Sequence, residues 1–308
     1  MKHIHITTQE IRTIHPYLKK LYISSKSSHK GQNGKVLVIG GSSLFHSSPI
    51  WAAEIASHFA DMVHFSSTEE NNEIILSLKK SFRDGMIIHQ KDIPDYVIED
   101  DAILVGPGMV RKELSGSAPQ QTSDFKTVLA ILDEGEYVRS LMYYLLHQHS
   151  QKRYVIDAGA LQMIDREWLH DLSEPAIITP HKYEFERLFG ISVEEMSTEE
   201  KEECVRKIAK ENNCVILLKS IDDFVSDGTT SVTIVGGTQG LTKGGTGDVL
   251  SGLVVSLYAK NDPITSAVVA SFLEKRAAEV LREKKGHWFN TTELLEIIPE
   301  VLTDLVYN

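Results

Sequence analysis

Only two cysteines occur in 308 residues, Cys204 and Cys214. Neither belongs to a CxxC pair or lies in a cluster with histidine. A disulfide scaffold and a cysteine-ligated zinc are therefore excluded, and reduced core or surface thiols are expected. Basic residues are scarce as well: 32 Lys and Arg stand against 43 Asp and Glu, a net charge of −11. That balance argues against a general nucleic-acid or membrane-surface binder and leaves room only for a local basic pocket for phosphates. No apolar run approaches the roughly 20 residues that span a bilayer. The opening Met1-Lys2-His3-Ile4 lacks the apolar core of a signal peptide, so a cytoplasmic location is expected. The 13 histidines do not gather at metal spacing; His46, His58 and His64 fall on different predicted elements, and zinc is not expected. Internal repeats and low-complexity tracts are missing too.

What is present is 42% hydrophobic residues, enough for one large α/β domain or two modest ones. A single domain over 1–308 is the expectation. Compact apolar runs at Lys35–Ile39, Ala102–Val105, Tyr154–Ile156, Ala176–Ile178 and Val215–Leu218 read as strands buried on both faces. Met62–Phe65 and Glu73–Leu78 are further strand candidates. Asp227-Gly228 predicts a hairpin returning through Ser231–Val235. Helices are predicted over Thr7–Leu21, leading into a connector that ends at residue 29, over Pro49–Ala60 and over Tyr137–His149. The last third reads as helical, with breaks near Asn261-Asp262-Pro263 and Gly286. Residues 111–136, rich in Ser, Gln, Asp and Lys, read as a mobile, exposed insertion. Alternating strands and helices imply a mostly parallel sheet covered by helices. Unusual residues punctuate the strand ends: Gly40-Gly41, Gly106-Pro107-Gly108, Asp157, Thr179-Pro180-His181 and Lys219. Ligands bind at the carboxyl ends of such strands, so these five ends describe one rim.

The most pointed motif is Gly244-Gly245-Thr246-Gly247-Asp248, followed by an apolar run from Val249. It reads as a loop feeding a helix start, where the first N–H groups are unpaired and the dipole is positive. Glycines there let a phosphate reach the amides. Asp248, in the first turn, is placed to accept a proton from an attacking hydroxyl. Its position at a helix start predicts a low proton affinity. A plain tight turn with a dipole-capping acid is the bland alternative; the acid and the small Ser251 and Gly252 favour an anion site. The pattern is neither a Walker loop nor the dinucleotide fingerprint, because no Lys-Ser/Thr pair follows the glycines and the acid lies inside the loop.

Taken in order, Lys30-Gly31-x-x-Gly34, Gly40-Gly41-Ser42, Gly106-Pro107-Gly108, Asp157-Ala158, Thr179-Pro180-His181-x-x-Glu184, Leu218-Lys219 and the glycine loop form a series. From about Lys30 to Ala259 the chain resembles the ADP/ATP-dependent NAD(P)H-hydrate dehydratase family of the ribokinase-like superfamily. The resemblance implies a three-layer ribokinase-like fold, without the epimerase domain often fused ahead of it. It implies repair of hydrated NADH or NADPH: ADP or ATP phosphorylates the ring hydroxyl, and elimination of phosphate restores the cofactor. Magnesium and a homo-oligomer, tetrameric or larger, are implied as well. Gly244, Gly245, Thr246 and Gly247 would cradle the transferred phosphate and Lys219 would contact nucleotide phosphate. Ser48, Gly108, His181 and Asp248 would line the substrate site, with Asp248 as base. Asp157 and Glu184 are further members of that pocket. Glu184 equally suits a helix-capping role, and turn-capping or packing is the bland alternative for His181. The chain has Ser47-Ser48 where the family commonly has Gly-Ala, and Ser220 where it has glycine. Asp222 and Asp223 would repel a nearby phosphate unless turned away or holding a metal. The alternative function is a ribokinase-like kinase acting on a sugar or hydroxymethyl-pyrimidine alcohol.

Overall fold

Successive side chains of a strand point to opposite faces, and the central strands of this chain are apolar on both. Val36, Val38, Leu104, Val155 and Leu217 enter one core, whereas Leu37, Ile39, Ile103, Ile156 and Ile216 enter a second core across the sheet. A layer of helices closes each core. The computed structural model describes residues 2–80, 82–110 and 122–307.

The chain opens with β1 (Lys2–Thr7) and α1 (His15–Leu18), then β2 (Lys35–Ile39), α2 (Ser47–Ser57), β3 (Met62–Ser66), α3 (Glu69–Leu78), β4 (Gly85–Ile87), α4 (Ile93–Glu99) and β5 (Ala102–Val105). Next come α5 (Phe125–Leu129), α6 (Glu134–Gln148), β6 (Arg153–Ile156), α7 (Ala158–Leu161), β7 (Ala176–Ile178), α8 (Lys182–Phe189) and α9 (Thr198–Glu211). Then β8 (Cys214–Leu218), β9 (Asp223–Ser226) and β10 (Thr230–Val235) lead to α10 (Thr246–Tyr258), α11 (Pro263–Lys285) and α12 (Thr291–Tyr307). Among the described residues the strands form one sheet in the order β1-β10-β9-β8-β7-β6-β5-β2-β3-β4. Every pair is parallel except the two made by β9. The chain reverses its direction across the sheet between β2 and β5, and the crevice at such a reversal is where ligands settle.

Three expectations fail. The helix expected over Thr7–Leu21 is reduced to short helical turns, and the residues ahead of it form β1, a strand parallel to β10. Its His-Ile-His-Ile alternation is the signature of a half-exposed edge strand. Glu73–Leu78 is the second half of α3, whose start is capped by Thr68 accepting the Asn71 N–H at 3.2 Å. The exposed insertion is also wrong where it can be judged. Residues 111–121 lie outside the described residues, but Asp124 caps α5, and Phe125 and Val128 are buried in the second core.

Helix α10 packs on α2 so closely that a Cβ at Gly252 would sit 2.4 Å from the Ala52 carbonyl oxygen and 2.7 Å from its Cα. Gly252 is thus a helix-packing residue, not part of an anion site. Gly252→Ala forces backbone apart and is expected to cost about 1–3 kcal/mol in denaturant unfolding. Gly244→Ala, with nothing within 4 Å of the added methyl, is expected to change stability by less than about 0.5 kcal/mol.

Candidate active site

Gly245 caps α10 with φ 99°, in the left-handed region. An added Cβ there would also lie 2.4 Å from the Trp51 ring. Only glycine satisfies both demands. Thr291 fixes the loop from the other side, its hydroxyl donating to the Gly244 carbonyl at 2.9 Å. The consequence is a set of open donors. Among the described residues, the N–H groups of Gly245, Gly247 and Asp248 make no hydrogen bond to the protein, and that of Thr246 reaches only the Lys243 carbonyl at 3.4 Å. The Thr246 hydroxyl is turned away, donating to the carbonyls of Leu241 and Lys243. Thr246 can therefore offer backbone alone to an anion.

Asp248 lies in the first turn of α10. The α2–α10 packing brings it against the start of α2, where the Ser48 hydroxyl near its carboxylate favours the charged form. The low proton affinity expected of a helix start is not what the structure gives. Burial, followed by the nearby Asp157 carboxylate, raises the Asp248 pKa to about 7; Ser48 and Lys219 oppose this only partly. Asp248 lines a cavity of about 480 Å³ with Ser48, Gly108, Gln162 and Glu184. A Cβ on Gly108 would approach the Ser48 Cβ to 3.0 Å, so the cavity wall is already tight there.

Lys219 connects the remaining charges. Its ammonium donates to Asp157 Oδ1 at 2.8 Å. Burial alone would lower its proton affinity, but Asp157, Glu184 and Asp248 together raise it, so the side chain stays charged. The ammonium would be 3.5 Å from a Cβ on Gly247, beside the open amides. Ala158, directly after Asp157, holds a left-handed φ of 46°, which is strained for a residue with a Cβ and common beside functional sites.

The capping alternative for the Thr-Pro-His-x-x-Glu motif is realised. His181 Nδ1 accepts the N–H groups of Tyr183 and Glu184, both at 3.2 Å, and Glu184 Oε2 accepts the His181 N–H at 2.9 Å. Gln162 donates to Glu184 Oε1 at 3.0 Å. Glu184 nevertheless faces the Asp248 cavity, whereas His181 lines a neighbouring one with Lys219. The acids after Lys219 are not a free repulsive pair. Asp223 is tied to the Ser220 N–H, the Ser271 hydroxyl and the buried Lys275.

The structure thus gathers Ser48, Gly108, Asp157, Glu184, Lys219 and the 245–248 loop, and sets His181 to one side. Gln162 and the buried lysine Lys275 were not singled out from the sequence. Gln162 carries no motif, and Lys275 lies inside a helix that reads as ordinary. Lys275 also lines a cavity of about 460 Å³ with Ser220, Gly236, Gly237, Thr242 and Arg282.

The sequence model of the family described as NAD(P)H-hydrate dehydratase matches residues 36–300. The chain is 32% identical over 281 residues to the ADP-dependent (S)-NAD(P)H-hydrate dehydratase of Cenarchaeum symbiosum, covering 90% of this chain and 91% of the relative. Its fold is that of a ribokinase-like superfamily protein of Enterococcus faecalis, with TM-score 0.78, 19% identity, and 99% and 97% coverage of the two chains. The ADP/ATP-dependent NAD(P)H-hydrate dehydratase of Bacillus subtilis, co-crystallised with ATP/Mg2+, superposes with TM-score 0.73 at 22% identity over 95% of this chain and 97% of that one.

The raised Asp248 affinity has a stability consequence. The unfolded carboxyl ionises near 3.8 and the folded one near 7. Folding stability supplied by this group is full below about pH 4 and is lost as pH rises through 7. Asp248→Asn, which carries no charge, should therefore melt at a higher temperature than the parent at pH 8, with the gap narrowing towards pH 4. Thermal unfolding across that range checks the sign; an equal or lower melting temperature at pH 8 contradicts it.

Proposed function

Since this chain belongs to the NAD(P)H-hydrate dehydratase family, we propose that it dehydrates hydrated NADH or NADPH to the parent cofactor, using ADP or ATP as phosphoryl donor. The observation that carries this reading is the meeting of open amide donors with a neutral-range carboxyl at one helix start: the N–H groups of Gly245, Gly247 and Asp248, and the Asp248 side chain, which lines the cavity.

Hydroxide leaves a carbon poorly; a phosphate ester leaves far more readily. The ring hydroxyl attacks the terminal phosphoryl group of the nucleotide, and Asp248 accepts its proton as the oxygen–phosphorus bond forms. A carboxyl titrating near 7 is matched to this work at neutral pH. Charge builds on the phosphoryl oxygens in the transition state, where the fixed N–H groups can meet it without reorganising. Lys219 adds positive charge beside Gly247, and its pairing with Asp157 holds it in place. Departure of phosphate with the carbon–oxygen electron pair, and loss of a ring proton, restores the double bond.

Magnesium belongs to this reading as the ion that arrives with the nucleotide phosphates and offsets their charge. Among the described residues no three His, Cys, Asp or Glu side chains form a ligand set of their own. Such an ion would keep most of its water and phosphate ligands, with Asp157 and Glu184 as the facing carboxylates; both already act on Lys219 and Asp248. Among the described residues no helix is long and apolar enough to cross a membrane.

Hydrated NADH mixed with the protein and ADP or ATP should regain absorbance at the reduced-nicotinamide band. Asp248→Asn should slow this by about 10²–10⁴-fold while leaving nucleotide affinity within about twofold of the parent. No recovery with either nucleotide, together with turnover of a sugar or pyrimidine alcohol, would assign the site to a kinase instead. Full activity in the variant would remove Asp248 from the chemistry.

A further inference from the structure

A second cavity, of about 400 Å³, opens beside the first between the start of α8, the first turn of α9 and the end of β8. Three lysines line it, Lys182, Lys201 and Lys219, against one acid, Glu194. Two of those charges are already answered: Lys182 pairs with Glu194, and Lys219 pairs with Asp157 behind it. Lys201 is different. Its side chain is half-buried, and among the described residues its ammonium forms no hydrogen bond or ion pair. Its ammonium is answered by water alone, in a pocket whose other lining includes Val193, Leu218 and Ile221.

We propose that this cavity is a second anion subsite that takes a phosphate or pyrophosphate group, with Lys201 as its free cation. Its edge is built by His181 and Lys219, which are bridged as neighbours where β7 and β8 end. Lys219 also stands beside Gly247, so a ligand in the cavity and a phosphoryl group on the glycine loop share one lysine. A phosphate placed there would give Lys201 its missing partner and would draw on Lys182 and Lys219 in charge-assisted contacts. A neutral ligand would leave Lys201 without an ionic partner. The choice of phosphate over other anions rests on the proposed dehydratase reaction, both of whose reactants carry a pyrophosphate. Either could supply the group: the dinucleotide through its internal linkage, or the donor nucleotide through its chain.

The test uses the full chain and Lys201→Ala, a change on a helix surface away from the phosphoryl-transfer loop, with Lys201→Arg as the charge-keeping control. Inorganic pyrophosphate is titrated into each protein by calorimetry. The proposal expects Lys201→Ala to weaken binding about five- to tenfold, about 1–1.4 kcal/mol, and Lys201→Arg to recover most of it. Binding within twofold of the parent in Lys201→Ala overturns the subsite. Steady-state kinetics then identify the source. A raised KM for the hydrated dinucleotide alone assigns the group to the substrate, and a raised KM for ADP or ATP alone assigns it to the donor, with kcat unchanged in each case. If both KM values stay at the parent's, the subsite serves neither reactant and the proposal fails. The two readings fail separately. Lys201-dependent pyrophosphate binding in a protein that never dehydrates the hydrate would keep the subsite and sink the reaction.

Discussion

A carboxyl group at 248 is pulled in two directions, and the site depends on the outcome. The start of α10 favours its charged form through the open amides and the helix dipole. Burial and the neighbouring Asp157 favour the neutral form, and they prevail. Lys219 moderates the contest: it neutralises Asp157 at 2.8 Å and remains charged itself under three surrounding acids. The result is a carboxyl that titrates close to neutrality beside amides with no partner in the protein. Neither half would suffice alone. A fully ionised acid would repel an arriving phosphate, and amides already bonded to the chain would have nothing to offer it.

Packing holds this pair of features together. Gly252 lets α10 lie against Ala52 on α2, and that contact carries Ser48 to Asp248. Two helix starts therefore converge on one cavity at the carboxyl ends of β2 and β5, where the chain reverses direction across the sheet. Trp51 and Thr291 press on the glycine loop from two sides. The loop is consequently set by the helices before any ligand arrives, which is how preorganised donors must be held.

The strands that build the rim were legible because each is an unbroken apolar run ended by glycine or a polar residue; Lys35–Ile39, Ala102–Val105 and Val215–Leu218 are of this kind. β1 was missed because its histidines face outwards on a sheet edge and dilute the apolar signal. Residues of α3 were misread because Ile74, Ile75 and Leu76 look strand-like, while the capping Thr68 that starts the helix is easily overlooked. In the site, the positions of Asp248, Lys219 and Glu184 followed from their strand ends and the glycine loop. The proton affinity of Asp248 did not. It comes first from burial that no local pattern encodes, and then from Asp157, which lies far away in sequence and close in space. The same holds for Lys201, whose isolation is visible only once α8, α9 and β8 are assembled around it.

The charge state of Asp248 in the ligand-free protein is the most direct test of this account. Carboxyl-carbon NMR of the aspartate-labelled protein, with Asp248→Asn to identify the resonance, follows that one group through a pH titration. A midpoint near 7 is predicted. A midpoint near the ordinary 3.8 would mean that the site is open to water and that the half-buried, neutral-range carboxyl described here does not exist.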